Sequence, residues 1–361
     1  MKYALLFLFF AGLRLNARTP AIMDNFTIRT GVNISHWLSQ NDDRGGERSR
    51  YISKSDFDKI ASLGFDHVRI PVDEVQLWDS LGKKEPLAFQ LLHNGIEWAF
   101  AAHLRVIVDL HILRSHYFNA ESNKLWTDSL EQQKLVDLWL QLSEELHSYP
   151  NSKLAYEVLN EPVAKDPDDW NKVFNKVIAA VRIKEPHRII VVGSNMWQIP
   201  GTFPQLKVPA HDGDLILSFH FYTPMALTHH LASWTPIAEY TGPVAYPGQI
   251  VDTIQYKGMS AKAVNAMREY ANGYFTKEVL KEQMMPAIEF AKKHNLPLYC
   301  GEFGIYPRIP EEIMLRWYKD VCDIFNGNNI AYCHWGYKGD FPIFDENLTP
   351  KKKLVSVLTG R

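Results

Sequence analysis

Short apolar runs recur eight times along this chain, and amphipathic stretches with helical spacing separate most of them. The strand-like runs fall at residues 30–34, 67–70, 105–110, 154–159, 188–192, 215–219, 297–300 and 330–334. Helical periodicity marks residues 56–63, 87–102, 130–146, 169–183, 279–294 and 312–325, the first with Ser55 as expected N-cap and Gly64 just past its end. Strict β/α alternation implies a parallel sheet with helices packed outside it. Eight strands in 361 residues favour closure into a single-domain (β/α)8 TIM barrel of the α/β class.

One connection is far longer than the rest. Residues 221–276, after the sixth strand, carry Trp234, Tyr240, Tyr246, Tyr256 and Tyr274 among several Pro and Gly. A connection of this length between barrel elements is usually functional. It is expected to wall a cleft, its apolar content being too thin for a core of its own.

The N-terminus reads as a leader. Lys2 precedes an apolar run over residues 3–12, too short to span a bilayer, and cleavage is expected after Ala17 despite the bulk of Leu15 and the charge of Arg14. Residues 1–17 are therefore expected to be a signal peptide and 18–361 the barrel, exported to the periplasm or the medium. Cys300, Cys322 and Cys333 match no zinc spacing and no disulfide framework, and read as small buried hydrophobes. A net charge of -2 gives no electrostatic case for nucleic acid or an anionic membrane.

In a TIM barrel, chemistry sits where strands end at the C-terminal face. The second run ends in Arg69, the third in Asp109-Leu110-His111, and the fourth in Asn160-Glu161-Pro162. The sixth ends in His220-Phe221-Tyr222, the seventh in Gly301-Glu302, and the eighth in His334-Trp335. Taken singly, each has a bland explanation: a surface carboxylate, a core histidine, a barrel plug. Together they put two glutamates on one rim with cationic, amide and aromatic neighbours. Two carboxyl groups across a shared hollow are what glycosidic cleavage requires, one to protonate the leaving oxygen and one to attack or to activate water. Arg69 and Tyr222 suit a role in holding Glu302 ionised, Asn160 suits a sugar hydroxyl, and Trp335 suits a sugar face.

Arg69, His111, Asn160-Glu161-Pro162, His220, Tyr222, Glu302 and Trp335, in this order on these strands, resemble the active-site set of glycoside hydrolase family 5. Gly31-Val32-Asn33-Ile34 and Trp37 resemble the family's first strand. The resemblance implies a retaining, cellulase-like β-glycosidase, with Glu161 as acid/base and Glu302 as nucleophile. It implies that Arg69, His111, Asn160, His220, Tyr222 and Trp335 line the subsite of cleavage, and that no metal or cofactor takes part; Trp37 is expected to bind substrate by stacking on a sugar face. The segment Ile112-Leu113-Arg114-Ser115-His116 departs from the family's usual glycine-containing turn, and His36 has no assignment. Trp126, Trp197 and Trp234 are further candidates for sugar stacking.

A β-linked glucan is the expected substrate and partner; mannan, xyloglucan and exo-acting alternatives stay open. No nucleic acid or integral membrane association is expected, and the chain is expected to be monomeric. Two rivals weigh less. A metal-dependent hydrolase would need several converging ligands, and the 14 His show no His-x-His pair at the first strand. A non-catalytic carbohydrate-binding barrel would be expected to lack one of the carboxylates, and both are present.

Overall fold

The computed structural model describes residues 26–361 apart from Asn272, so the expected leader at residues 1–17 lies outside the described residues. Eight parallel strands close into a barrel. They are β1 (Thr30–Asn33), β2 (His67–Val72), β3 (Arg105–Leu110), β4 (Leu154–Glu157), β5 (Ile189–Gly193), β6 (Leu215–Phe221), β7 (Leu298–Phe303) and β8 (Ala331–His334). Each follows one of the eight apolar runs. Both faces of such a strand are covered, which is why the sequence reads as continuous Val, Ile and Leu instead of alternating apolar and polar.

Six expected helices are all present: α1 (Lys54–Ser62), α2 (Pro86–Ala101), α3 (Ser129–Leu146), α4 (Pro167–Lys184), α5 (Lys277–His294) and α6 (Glu311–Gly327). Among the further helices, α7 (Lys352–Thr359) packs against α6. The start of α1 differs from expectation. Its cap is Ser53, whose amide and hydroxyl both donate to the Asp56 carboxylate at 2.8 Å, while Ser55 stands inside the first turn. Between β5 and β6 the crossover has no long helix, just a four-residue turn, Asn195–Gln198, and a 3-10 turn, Pro200–Gln205.

Strand alternation divides the core. Val106, Val108, Leu154, Tyr156, Ile190 and Val192 face the helices and join the large outer apolar layer. Ile107, Ala155, Ile189, Val191, Ile216, Tyr299 and Cys333 fill the lower barrel interior. Toward the C-terminal end the inward positions turn polar: Asn33, Arg69, Asp109 and Glu157 are all fully buried. The three cysteines are buried and unpaired.

Strand β7 carries an irregularity at the functional end. Against β6, the register steps from Phe219–Cys300 to His220–Glu302, so Gly301 is an extra residue. Against β8, Cys300 pairs with Tyr332 and Phe303 with His334, which again leaves one residue over in β7. Such a bulge re-aims the next side chain, here Glu302.

The long connection is not a thin flap. Tyr240, Tyr246, Ile250, Met267, Tyr270 and Phe275 are buried in the same apolar cluster as the barrel's outer layer. The Tyr246 hydroxyl donates to Asp320 of α6 at 2.9 Å, and a two-stranded ribbon pairs Gly248–Gln249 with Tyr274–Phe275. Its first turn adjoins Tyr222, whose carbonyl accepts from Thr228 Oγ1 at 2.6 Å.

Candidate active site

Arg69 projects from β2 into the upper barrel, and its position follows from the inward face of that strand. The guanidinium donates to Glu157 Oε2 at 2.6 Å, Asn33 Oδ1 at 3.0 Å, Glu302 Oε1 at 2.8 Å and Asn160 Oδ1 at 2.9 Å. It also pairs with Asp109 Oδ2 at 2.9 Å. A rigid, always-charged fork of donors suits such a buried hub. The cost of burying it is offset by three carboxylates, and their charges raise its pKa further.

Glu302 is 5% exposed and receives a second donor, the Tyr222 hydroxyl at 3.0 Å to Oε2. Burial raises its pKa, while the Arg69 charge, His111 and the Tyr222 bond pull the other way. Glu161 follows β4 and is held differently. Its Oε1 lies 2.9 Å from His220 Nδ1, and among the described residues no guanidinium pairs with it. Burial first, and then the Glu302 charge, push its pKa well above the carboxylate range. An oxygen of each carboxyl group and a His220 ring nitrogen all lie within 4.8 Å of one another.

The histidines are neutral, and their partners fix their protons. Burial lowers His220 well below its ordinary value, with the Arg69 charge adding to the effect. Its Nε2 has no partner among the described residues, so the ring proton sits on Nδ1, facing Glu161. His111 is lowered to about 4, mainly by burial. Its Nδ1 donates to Asp109 Oδ2 at 2.6 Å, and its Nε2 accepts from Gln40 at 3.2 Å. The ring stacks on Trp335, centroids 5.6 Å apart and planes 5° from parallel.

Eight of the nine expected site residues are thus gathered at one end of the barrel: Arg69, His111, Asn160, Glu161, His220, Tyr222, Glu302 and Trp335. Trp37 is not among them. It is fully buried, its indole N–H donates to the Arg48 carbonyl at 3.0 Å, and its ring fills the space left by Gly95 of α2. A side chain with no exposed face cannot stack on a sugar, and Trp37 is a core residue. Trp126 is partly buried, edge-on to His116 and Trp170. Trp197 and Trp234 remain 41% and 47% exposed at the rim.

Sequence reasoning gave no role to Asp109, Glu157, Asn33 or Gln198, although Asp109 and Asn33 stand within the strand ends quoted above. The available signal was a carboxylate inside an apolar strand on the inward period, as in Leu154-Ala155-Tyr156-Glu157. His36 and the Ile112–His116 segment now have structural roles. His36 Nε2 lies 3.4 Å from Asp340, bracing the loop after β8, and Arg114 pairs with the buried Glu74 at 2.7 Å. Glu161, His220 and Glu302 could also approach a metal ion. The Arg69 guanidinium on Glu302 opposes a cation there, since it already occupies one oxygen with positive charge.

The profile of the cellulase family, glycosyl hydrolase family 5, matches residues 30–340. Endoglucanase C of Acetivibrio thermocellus is 30% identical over 344 residues, covering 93% of this chain and 99% of the relative. Cellodextrinase A of Ruminococcus flavefaciens is 27% identical, covering 92% and 93%. Among solved structures, a hyperthermophilic endo-β-1,4-glucanase in complex with substrate shares the fold, with a TM-score of 0.76 at 24% identity, covering 93% of this chain and 98% of its own. Profile and coverage together with the two-carboxylate barrel mouth place the chain in glycosyl hydrolase family 5, the cellulase family, as a retaining O-glycosyl hydrolase.

Proposed function

We propose that this protein cleaves β-linked glucan by double displacement, with Glu302 as nucleophile and Glu161 as acid/base. The observation that carries the reading is the pair of carboxyl groups with oxygens within 4.8 Å and opposite surroundings. A spacing of about 5 Å leaves no room for an attacking water between carboxylate and sugar, which favours a covalent glycosyl-enzyme. Glu302, beside Arg69 and Tyr222, ionises first and attacks the anomeric carbon. Glu161 keeps its proton and gives it to the departing glycosidic oxygen. Esterification removes the Glu302 charge, the Glu161 pKa falls, and Glu161 takes a proton from the water that hydrolyses the ester.

His111 and Trp335 form one stacked wall, and Asn160, held by Arg69, presents its amide N–H groups toward the sugar hydroxyls. The relatives named for endoglucanase and cellodextrinase activity support a β-glucan as substrate. Half-exposed Trp197 and Trp234 offer apolar faces for further sugar units. Hydrolysis of soluble β-glucan, mannan and xylan, with product sizes, tests the substrate: rapid release of short glucose oligomers from β-glucan is expected, and cleavage of mannan or xylan alone would overturn it. Export belongs to the same proposal, on the strength of Lys2 and the apolar run at residues 3–12. A mature N-terminus beginning near residue 18 is the expected result, and retention of Met1 in secreted protein would contradict it.

A further inference from the structure

Glu161 is held in a backbone conformation that a glutamate does not choose. Its φ is +43°, in the left-handed region that non-glycine residues rarely occupy. Such a conformation persists only where surrounding structure imposes it. The Glu161 amide donates to Gln198 Oε1 at 2.9 Å, and that bond comes from a fully buried side chain on the loop after β5. The other end of the same amide, Nε2, donates to Glu157 Oε1 at 3.3 Å. The amide's orientation is fixed by its partner, because an N–H on Glu161 cannot face an NH2.

This side chain closes a continuous buried path. Glu302 is bound by Arg69, Arg69 by Glu157, Glu157 by Gln198, and Gln198 by the backbone of Glu161. The supporting loop is itself unusual: Met196, Trp197 and Gln198 all have positive φ, at 53°, 59° and 55°. Neighbouring bonds dock it on the segment after β4. Asn195 exchanges hydrogen bonds with the Ala164 backbone at 2.8 and 2.9 Å, and the Trp197 amide donates to the Pro162 carbonyl at 3.2 Å. Gly193 is needed beneath it, since a Cβ there would overlap the Gln198 side chain.

We propose that Gln198 is a positioning residue that locks the Glu161 backbone so that its carboxyl group meets the glycosidic oxygen. The inference rests on Glu161 being the acid/base. Without the Gln198 bond, Glu161 relaxes toward negative φ and its carboxyl swings away from His220 and the reacting oxygen. Displacement of a catalytic group by about 1 Å costs on the order of 10²-fold in rate.

The test compares kcat/KM on two aryl β-glucosides in the full chain. Phenyl glucoside needs protonation of its leaving oxygen, whereas dinitrophenyl glucoside does not. Q198M keeps the side-chain length and removes both bonds. Its kcat/KM is expected to fall about 10²-fold on the phenyl substrate and to stay near the parent value on the dinitrophenyl one. Equal losses on both substrates, or no loss, would overturn the proposal, because a merely structural defect ignores the leaving group. E161A is measured alongside. If E161A shows the leaving-group signature and Q198M does not, only the role of Gln198 falls; if E161A lacks it, the acid/base assignment falls and takes this inference with it. Should Q198M fail to fold, Q198E decides. It keeps an oxygen facing the Glu161 amide, and when protonated it can still donate to Glu157. The ratio of Q198E to parent activity on phenyl glucoside is expected near one at acid pH and to fall as pH rises, and a ratio equally low at every pH would contradict the proposal.

Discussion

Arg69 Nη1 donates to Glu302 Oε1 at 2.8 Å, and this bond links the barrel's buried charge hub to one of its two central carboxylates. The same guanidinium holds Glu157 and Asn160, so it joins strands β2, β4 and β7 through side chains. Replacing it by methionine leaves Glu157, Asp109 and Glu302 buried without a counter-charge. Loss of one partner from a buried ion pair costs about 3–5 kcal/mol. R69M is expected to lose stability of that order in urea denaturation and to lose turnover at temperatures where it remains folded. Stability within 1 kcal/mol of the parent, on the order of a surface change, would contradict the hub role.

The opposite surroundings of the two carboxyl groups set the pH dependence. In the proposed roles Glu302 acts ionised and Glu161 protonated, so activity is expected to rise with pH through the Glu302 titration and to fall through that of Glu161. Because burial and the Glu302 charge raise Glu161 well above the usual carboxylate range, the alkaline limb is expected far above that range. The profile of kcat/KM is expected to show that limb on phenyl glucoside in the parent and to lack it on dinitrophenyl glucoside in both the parent and E161Q, the acid limb staying throughout. An unchanged alkaline limb in E161Q assigns it to another group.

Gly301 supplies the extra residue of the β7 bulge. A Cβ on it would sit 3.0 Å from Ser218 Oγ and 3.2 Å from His220 Nε2, forcing small shifts in the side chain that contacts Glu161. G301A is expected to remain folded, with a loss of about 1–3 kcal/mol typical of overpacking. Its kcat/KM is expected to fall at least about tenfold through misplacement of His220 and Glu302. Parent-level activity would show that the bulge has no bearing on the carboxylates' aim.

Trp37 provides a control on the opposite side of the argument. Its ring is fully buried against Gly95, and its indole N–H is bonded to the Arg48 carbonyl. W37F is expected to lower stability by about 1–3 kcal/mol through the lost bond and the space left behind, with KM for any glucan unchanged. A raised KM at unchanged stability would return Trp37 to the cleft.

How far the chain could be read without coordinates depended on what each residue's signal measures. The eight apolar runs encode burial on both faces of a strand, and so the barrel was legible strand by strand. The ends of those runs exposed Glu161 and Glu302, because a charged residue stands out where hydrophobicity stops. Glu157 and Asp109 were harder to see, since each sits within an apolar run and reveals itself only once the inward period is known. Trp37 misled because an aromatic near a strand end looks the same whether it faces a cleft or the helix behind it. Gln198 carries no signal in the sequence. Its importance lies in a pair of hydrogen bonds across 37 and 41 residues of chain and in the left-handed backbone of its partner.

Trapping the glycosyl-enzyme with a 2-deoxy-2-fluoro glucoside bearing a dinitrophenyl leaving group tests the two-carboxylate account most directly. One fluoroglucosyl unit is expected on the intact protein by mass spectrometry, esterified to the peptide that contains Glu302 and absent in E302Q. A label on any other side chain, or undiminished turnover in E302Q, would contradict it.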